Sequence, residues 1–489
     1  VRPAGSKGRE AFATALEVLA GYRPDRPGQP PRYQYAVPGE GRTGPALPAP
    51  SGPAVSRPGT ITAAAAALRA GRVTCTDLVE EALLAVDKFD GELNGVAHLM
   101  AESARAEAAT LDEEAAAGRW RGPLHGIPIT VKDIIDVRGA PTCAGSAAYH
   151  DLPAADAVAV ARARAAGAVV LAKVTTHEFA LGVTSPQSRN PHDPTRIPGG
   201  SSGGSAVAVS TGMGLGSIGT DTRASIRVPA ALSGVVGFKP TFGSVPTAGV
   251  VPLSWTMDHV APMATTVEDA ALLLDALRAG TGAPLASWAG APIAGLRIGV
   301  PESTFEGAAD EVATAVRVAL SRLERRGCVL LASDRPRAED LEAANAAGLV
   351  VSRCEAAAFH RALGADRSLY WEEVADQLDA ADGVRAVDYI DAQRLRADLA
   401  ESLLGVFDDV DLLAMPTAPI VAPPVDDFAR HLLLLSRNAI AWSLIGFPAV
   451  SVPCGRPGRL PVGIQLVAPP WREDLLVAAG TALEGARRD

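Results

Sequence analysis

The apolar positions of this chain change period several times, and each change marks an element. TITAAAAALRAG and TCTDLVEEALLAVDKF repeat at helical spacing; Gly71 closes the first, and the second carries Leu78, Ala82, Leu83 and Val86 on one face. GIPITVKD is a short β-branched run ending at Lys132, DAVAVARARAAG returns to the helical period, and AVVLAK is a strand ending at Lys173. A glycine- and serine-rich loop, PGGSSGGSAV, then opens a helix expected at about Ser205 to Thr211, followed by the strand LGSIGT. Beyond it VVGFKPT, RIGV, CVLLA, DLLAMPT, AVSVP and GIQLV read as strands, and TVEDAALLLDAL as a helix with a Thr265/Glu268 capping box. Alternation of this kind predicts an α/β fold, with one large, mixed, mostly parallel sheet covered by helices on both faces.

The pattern also divides the chain. Residues 1–59 hold a short helix at about 8 to 21 and then a proline-rich arm without apolar periodicity, with ten prolines from Pro24 to Pro58. The main domain is expected over 60–489, with a helical, charge-rich stretch at about 335–410 serving as a cap over the substrate.

Composition narrows the function. No apolar run approaches the ~20 residues of a spanning helix, and no signal segment is recognisable, so a cytoplasmic protein is expected. A net charge of −10 without a block of like charge points away from nucleic acid and toward small or neutral ligands. The five cysteines have neither CxxC spacing nor a histidine pair nearby, so they read as small buried apolar residues rather than a disulfide framework or a zinc site. No cofactor or metal is expected. Of 45 basic residues only Lys7, Lys88, Lys132, Lys173 and Lys239 are lysine. A lysine can lose its proton near neutral pH when desolvated, and an arginine cannot.

The glycine-serine loop admits two chemistries. As a phosphate cradle it lacks the GK[ST] of a P-loop and the spacing of a dinucleotide fingerprint. As a hydroxyl site it offers Ser201, with Ser225 placed 24 residues on in a second tight turn, TDTRAS. A serine needs a base to become a nucleophile, no histidine stands at a useful spacing, and Lys132 ends a strand where an α/β sheet places its ligand crevice. To serve, its pKa must fall from ~10.4 to ~7 to 8, a change of about 4 kcal/mol. The alternative is a lysine paired with the adjacent Asp133. Asp221 and Arg227, which bracket the second turn, are expected to pair as a structural clamp.

PGGSSGGSAVAV, GTDTRASIRVPA, GIPITVKD, LSWTMDHVAPMATTVEDAALLL, DLLAMPTAP and NAIAWSLIGFPAVSVPCG, spread from about Thr60 onward, resemble motifs of the amidase signature family. The resemblance implies a Ser-cisSer-Lys triad. Ser225 matches the nucleophile, Ser201 the bridging serine with a cis peptide to Gly200, and Lys132 the base. It implies an oxyanion hole of the backbone N–H groups of Thr222, Arg223, Ala224 and Ser225, and Gly200 and Ser202 are expected against the substrate. Ser202 and Ser205 are otherwise expected to orient the loop or cap its helix. The implied activity is hydrolysis of a small-molecule carboxamide through an acyl-enzyme, with a homodimer as the assembly allowed for.

At Arg223 the chain departs from most members of the family, which have glycine or another small residue there. If that position needs a positive φ, arginine is strained. Its guanidinium is expected to border the substrate and favour amides with a carbonyl or carboxylate near the scissile bond, against the alternative of a surface or acid-paired arginine. Two other functions stay open: an amidase subunit of a glutamine-dependent amidotransferase, and a scaffold disabled at Arg223.

Overall fold

Eleven strands hydrogen-bond into one sheet in the computed structural model, which describes residues 6–22, 46–48, 59–278 and 283–485. They are β1 (Val96–Leu99), β2 (Pro128–Lys132), β3 (Val169–Val174), β4 (Gly216–Asp221), β5 (Val236–Lys239), β6 (His259–Ala264), β7 (Arg297–Pro301), β8 (Val329–Ser333), β9 (Leu412–Pro416), β10 (Ala449–Gly455) and β11 (Val462–Val467). Their order across the sheet is β1-β3-β2-β4-β6-β5-β10-β11-β9-β7-β8.

The mixed sheet is as expected, but the expected parallel majority is not. Four pairings are parallel, β2 with β3 and β4, and β7 with β8 and β9; the other six are antiparallel. A short connection permits only antiparallel pairing for β10 and β11, whereas other antiparallel pairs, such as β1 with β3 and β5 with β10, join strands far apart in sequence. Two strands escaped the sequence reading. β1 is an edge strand with three of four residues exposed, so it carries no buried face to read. β6 contains Pro262, which argues against a central strand; β5 pairs with β6 only at Val236 and Gly237, so its ladder stops short of the proline.

Helices pack on both faces. Beside β10, Ser451 points toward Ala231 of the helix Arg227–Ser233, while Val452 meets Gly480 of the helix Glu473–Gly485 on the opposite side. The helix after the glycine-serine loop runs Gly203–Thr211. In place of the predicted Thr265/Glu268 capping box the helix has a simple N-cap one residue on, Thr266 Oγ1 accepting from the Asp269 N–H. The helical stretch expected at 335–410 is present as Ala338–Leu363, Glu372–Asp382 and Ala386–Gly405. The N-terminal helix, Ser6–Gly21, packs Phe12, Ala15 and Leu19 onto these helices. Of the proline-rich arm only Ala46–Pro48 is described; the rest lies outside the described residues. All five cysteines are free, Cys143 and Cys354 only half-buried. Among the described residues no helix is long and apolar enough to cross a membrane.

Candidate active site

Three parallel strands, β3, β2 and β4, set up the site, because parallel neighbours end on the same side of a sheet. Lys132 is the last residue of β2 and is wholly buried. Its Nζ donates to Ser201 Oγ at 2.7 Å and to Thr220 Oγ1 of β4 at 2.8 Å. The alternative partner, Asp133, is engaged elsewhere, 3.0 Å from Lys173. Hydroxyls do not neutralise an ammonium, so burial prevails and lowers the Lys132 amine from 10.5 to about 7, with the Asp258 and Asp221 carboxylates opposing.

The loop bearing Ser201 is held by close approach of its backbone to its neighbours. The Gly200–Ser201 peptide bond is cis, and a Cβ on Gly200 would stand 2.2 Å from the Thr184 carbonyl carbon, so only glycine fits. Ser185 Oγ donates to the Ser201 carbonyl at 2.9 Å and accepts from the Gly203 N–H at 3.0 Å. Ser202 Oγ donates to the Thr220 carbonyl at 3.1 Å, so the hydroxyl expected at the substrate instead ties the loop to β4. It makes no side-chain cap, and Ser205, inside the helix, makes none either.

The second turn follows β4. The Asp221 carboxylate accepts the N–H groups of Ala224 (2.9 Å) and Ile226 (3.2 Å), the Arg227 Nε (3.0 Å) and the Ser443 hydroxyl (2.7 Å). Arg227 reaches on to Gln465 Oε1 at 2.6 Å. This is the expected clamp, wholly buried on both sides. Burial opposes ionisation of Asp221, but the Arg227 guanidinium outweighs it and holds the carboxyl well below the usual carboxylate range. Replacing Asp221 by Asn strands a buried guanidinium and should destabilise the fold by about 3–5 kcal/mol, read from urea denaturation at pH 7. Since the folded carboxyl titrates below the unfolded one, its contribution is in place above about pH 4 and is lost only as the pH falls further.

The clamp corrects the expected oxyanion hole. Ala224 cannot serve, because its N–H is already donated to Asp221. The N–H groups of Thr222, Arg223 and Ser225 have no hydrogen-bond partner among the described residues, and neither does the Ser225 hydroxyl. The two turns meet directly: the Ser202 N–H donates to the Ser225 carbonyl at 3.3 Å. Thr222 Oγ1 is anchored 2.6 Å from Asp258, whose carboxyl burial raises to about 7.

Arg223 is neither a surface nor an acid-paired arginine. It is 7% exposed, and its Nη2 donates to Asn345 Oδ1 at 2.7 Å, on the helix Ala338–Leu363. The positive φ falls on the next residue, Ala224 at 82°, so the strain anticipated for Arg223 belongs to Ala224, at a cost of about 1 kcal/mol. Lys239 donates to the Pro240 carbonyl from a fully buried position, away from the serines' hydrogen bonds.

Several residues at the site carried no sequence signal. Thr220 gives Lys132 a second hydroxyl, Ser185 braces the Ser201 loop, and Ser443 and Gln465 complete the clamp; each is an ordinary residue type at no telling spacing. Asp258 lay within a quoted motif without a role.

Comparison with known proteins identifies the family. A family model described as Amidase matches residues 77–477. One of the subunits of the glutamyl-tRNA(Gln) amidotransferase of Chloroflexus aurantiacus is 37% identical over 469 residues, covering 87% of this chain and 96% of the relative. An amidase of Pseudomonas putida is 36% identical over 460 residues, with the same shares covered. A crystal structure of an amidase superposes with a TM-score of 0.81 at 37% identity, over 87% of this chain and 99% of the other. The glycine-serine loop, the clamped turn and the buried lysine thus sit in a chain that belongs to the amidase family.

Proposed function

We propose that this chain hydrolyses small-molecule carboxamides, with Ser225 as nucleophile, Ser201 as proton relay and Lys132 as base. The observation that carries the reading is the 2.7 Å contact between Lys132 Nζ and Ser201 Oγ, made by an amine lowered to about 7 and so half neutral near physiological pH. Neutral Lys132 takes the Ser201 proton while Ser201 takes the proton of Ser225, whose Oγ attacks the amide carbonyl. The oxyanion is received by the N–H groups of Thr222, Arg223 and Ser225, donors with no other partner among the described residues, a contribution of several kcal/mol. The proton returns through Ser201 to the leaving nitrogen, ammonia or an amine departs, and water hydrolyses the acyl-enzyme. The five free thiols support a reducing, cytoplasmic setting.

Rapid quenching of the protein with a slowly hydrolysed amide, followed by mass spectrometry, should find the acyl group on the peptide containing Ser225. An acyl group on another residue, or none under turnover, overturns the mechanism.

A second reading is favoured by the name of the Chloroflexus relative: an amidase subunit that passes ammonia from glutamine to a partner. Glutaminase activity that appears only with a co-purified partner chain would select it. A disabled scaffold ranks below both, since Lys132, Ser201 and Ser225 all keep the residue types the chemistry needs.

A further inference from the structure

The turn that carries Ser225 contains two arginines, and they are treated in opposite ways. Arg227 is paired with Asp221 and bonded to Gln465 and Ser443. Arg223 has one hydrogen bond among the described residues, from Nη2 to the neutral amide oxygen of Asn345. Its Nε is buried without a partner, and Nη1 has none among the described residues. No carboxylate among the described residues acts on it; the charged group close enough to matter is another buried guanidinium, Arg353, which adds to the positive field. Arg353 itself is occupied, donating to Gln377, Ser352 and the Leu181 carbonyl.

A buried charge left without a counter-charge is strongly destabilising, so a fold that keeps one has a use for it. The free edge of a guanidinium presents parallel donors that match the two oxygens of a carboxylate. Asn345 fixes the plane of that fork without neutralising it. Arg223 stands two residues before Ser225 in the same turn, with Cα atoms no more than ~7 Å apart, so an anion bound by Arg223 and a carbonyl at Ser225 can belong to one small molecule.

We propose that Arg223 is a substrate-recognition residue: its guanidinium, oriented by Asn345, receives a carboxylate of the amide substrate, which is therefore a short-chain acid amide. This rests on the amide-hydrolase reading. The rival is a strut, in which Arg223 merely joins the turn to the helix Ala338–Leu363.

The test compares succinamate with butyramide, which replaces the carboxylate by a methyl group. The wild-type protein should favour succinamate in kcat/KM, and Arg223→Met should lower that preference about tenfold to a hundredfold, chiefly through KM. Arg223→Lys should recover part of it. A strut predicts equal losses on both amides, so an unchanged ratio overturns the proposal. Binding is read separately from hydrolysis. Succinate should raise the Tm of Ser225→Ala but not of the Ser225→Ala, Arg223→Met double variant; equal shifts, or no shift in either, overturn it. If succinate discriminates the two variants while neither amide is hydrolysed by wild type, the amide-hydrolase reading falls and the anion site stands.

Discussion

Ser225→Ala should lower kcat on any amide the protein hydrolyses by about 10⁴ to 10⁶-fold, with the fold unchanged. The size follows from removing the only atom that would bond to the acyl group; what remains is positioning and whatever the free N–H donors contribute to an attacking water. Structure should survive because the hydroxyl makes no hydrogen bond among the described residues, so its loss leaves no buried partner stranded. The carbonyl that accepts from Ser202 is untouched by the substitution. The measurement is single-turnover kinetics beside a urea melt. Full activity in a stably folded Ser225→Ala protein would remove serine chemistry from consideration.

Lys132→Met should cost about 10² to 10⁴-fold in the acylation rate, the usual worth of a positioned base, and should do so with a pH signature. With the wild-type amine at about 7, the neutral form accumulates as pH rises. Acylation should therefore fall about tenfold per pH unit below 7 and level off above it. A flat profile between pH 5 and 9 contradicts a neutral-lysine base. Stability supplies a readout independent of turnover. Between the folded value of about 7 and the unfolded value of ~10.4, the unfolded chain holds a proton that the folded protein has released. Stability from Lys132 accordingly rises with pH across that window, by up to about 1.4 kcal/mol per unit. Lys132→Met should abolish this rise relative to wild type, measured by urea denaturation at pH 7, 8 and 9. Persistence of the same slope in the variant would mean that Lys132 is not the group responsible.

These expectations stand on features of unequal visibility in the sequence. Nine of the strands announce themselves through apolar runs ending in turn residues; for all but β8 the cause is burial on both faces, which leaves a local record. The edge strand β1, exposed at three of its four residues, leaves none, whereas the other edge strand, β8, is read from its apolar composition; β6 is disguised by Pro262, tolerated where the neighbouring ladder has ended. At the site, Lys132, Ser201 and Ser225 could be singled out from residue type and motif, and the Asp221–Arg227 clamp from its spacing. The donors of the proposed oxyanion hole could not be assigned one at a time. A motif marks the turn but cannot say that Asp221 folds back to take the Ala224 N–H.

What the sequence determined by itself is local: the period of most elements, the glycine- and serine-rich loop around Ser201, the scarcity of lysine, and the family motifs. Tertiary structure alone decided the partners. Lys132 meets Ser201 across 69 positions, Arg223 meets Asn345 across 122, and Ser443 reaches Asp221 across 222. The reason is physical. A periodic apolar face reports on neighbours a few residues away, whereas burial, and the absence of a counter-charge, depend on elements that come together only when the sheet has formed. The same burial brings the Lys132 amine to about 7 and leaves the Arg223 guanidinium without an acid among the described residues.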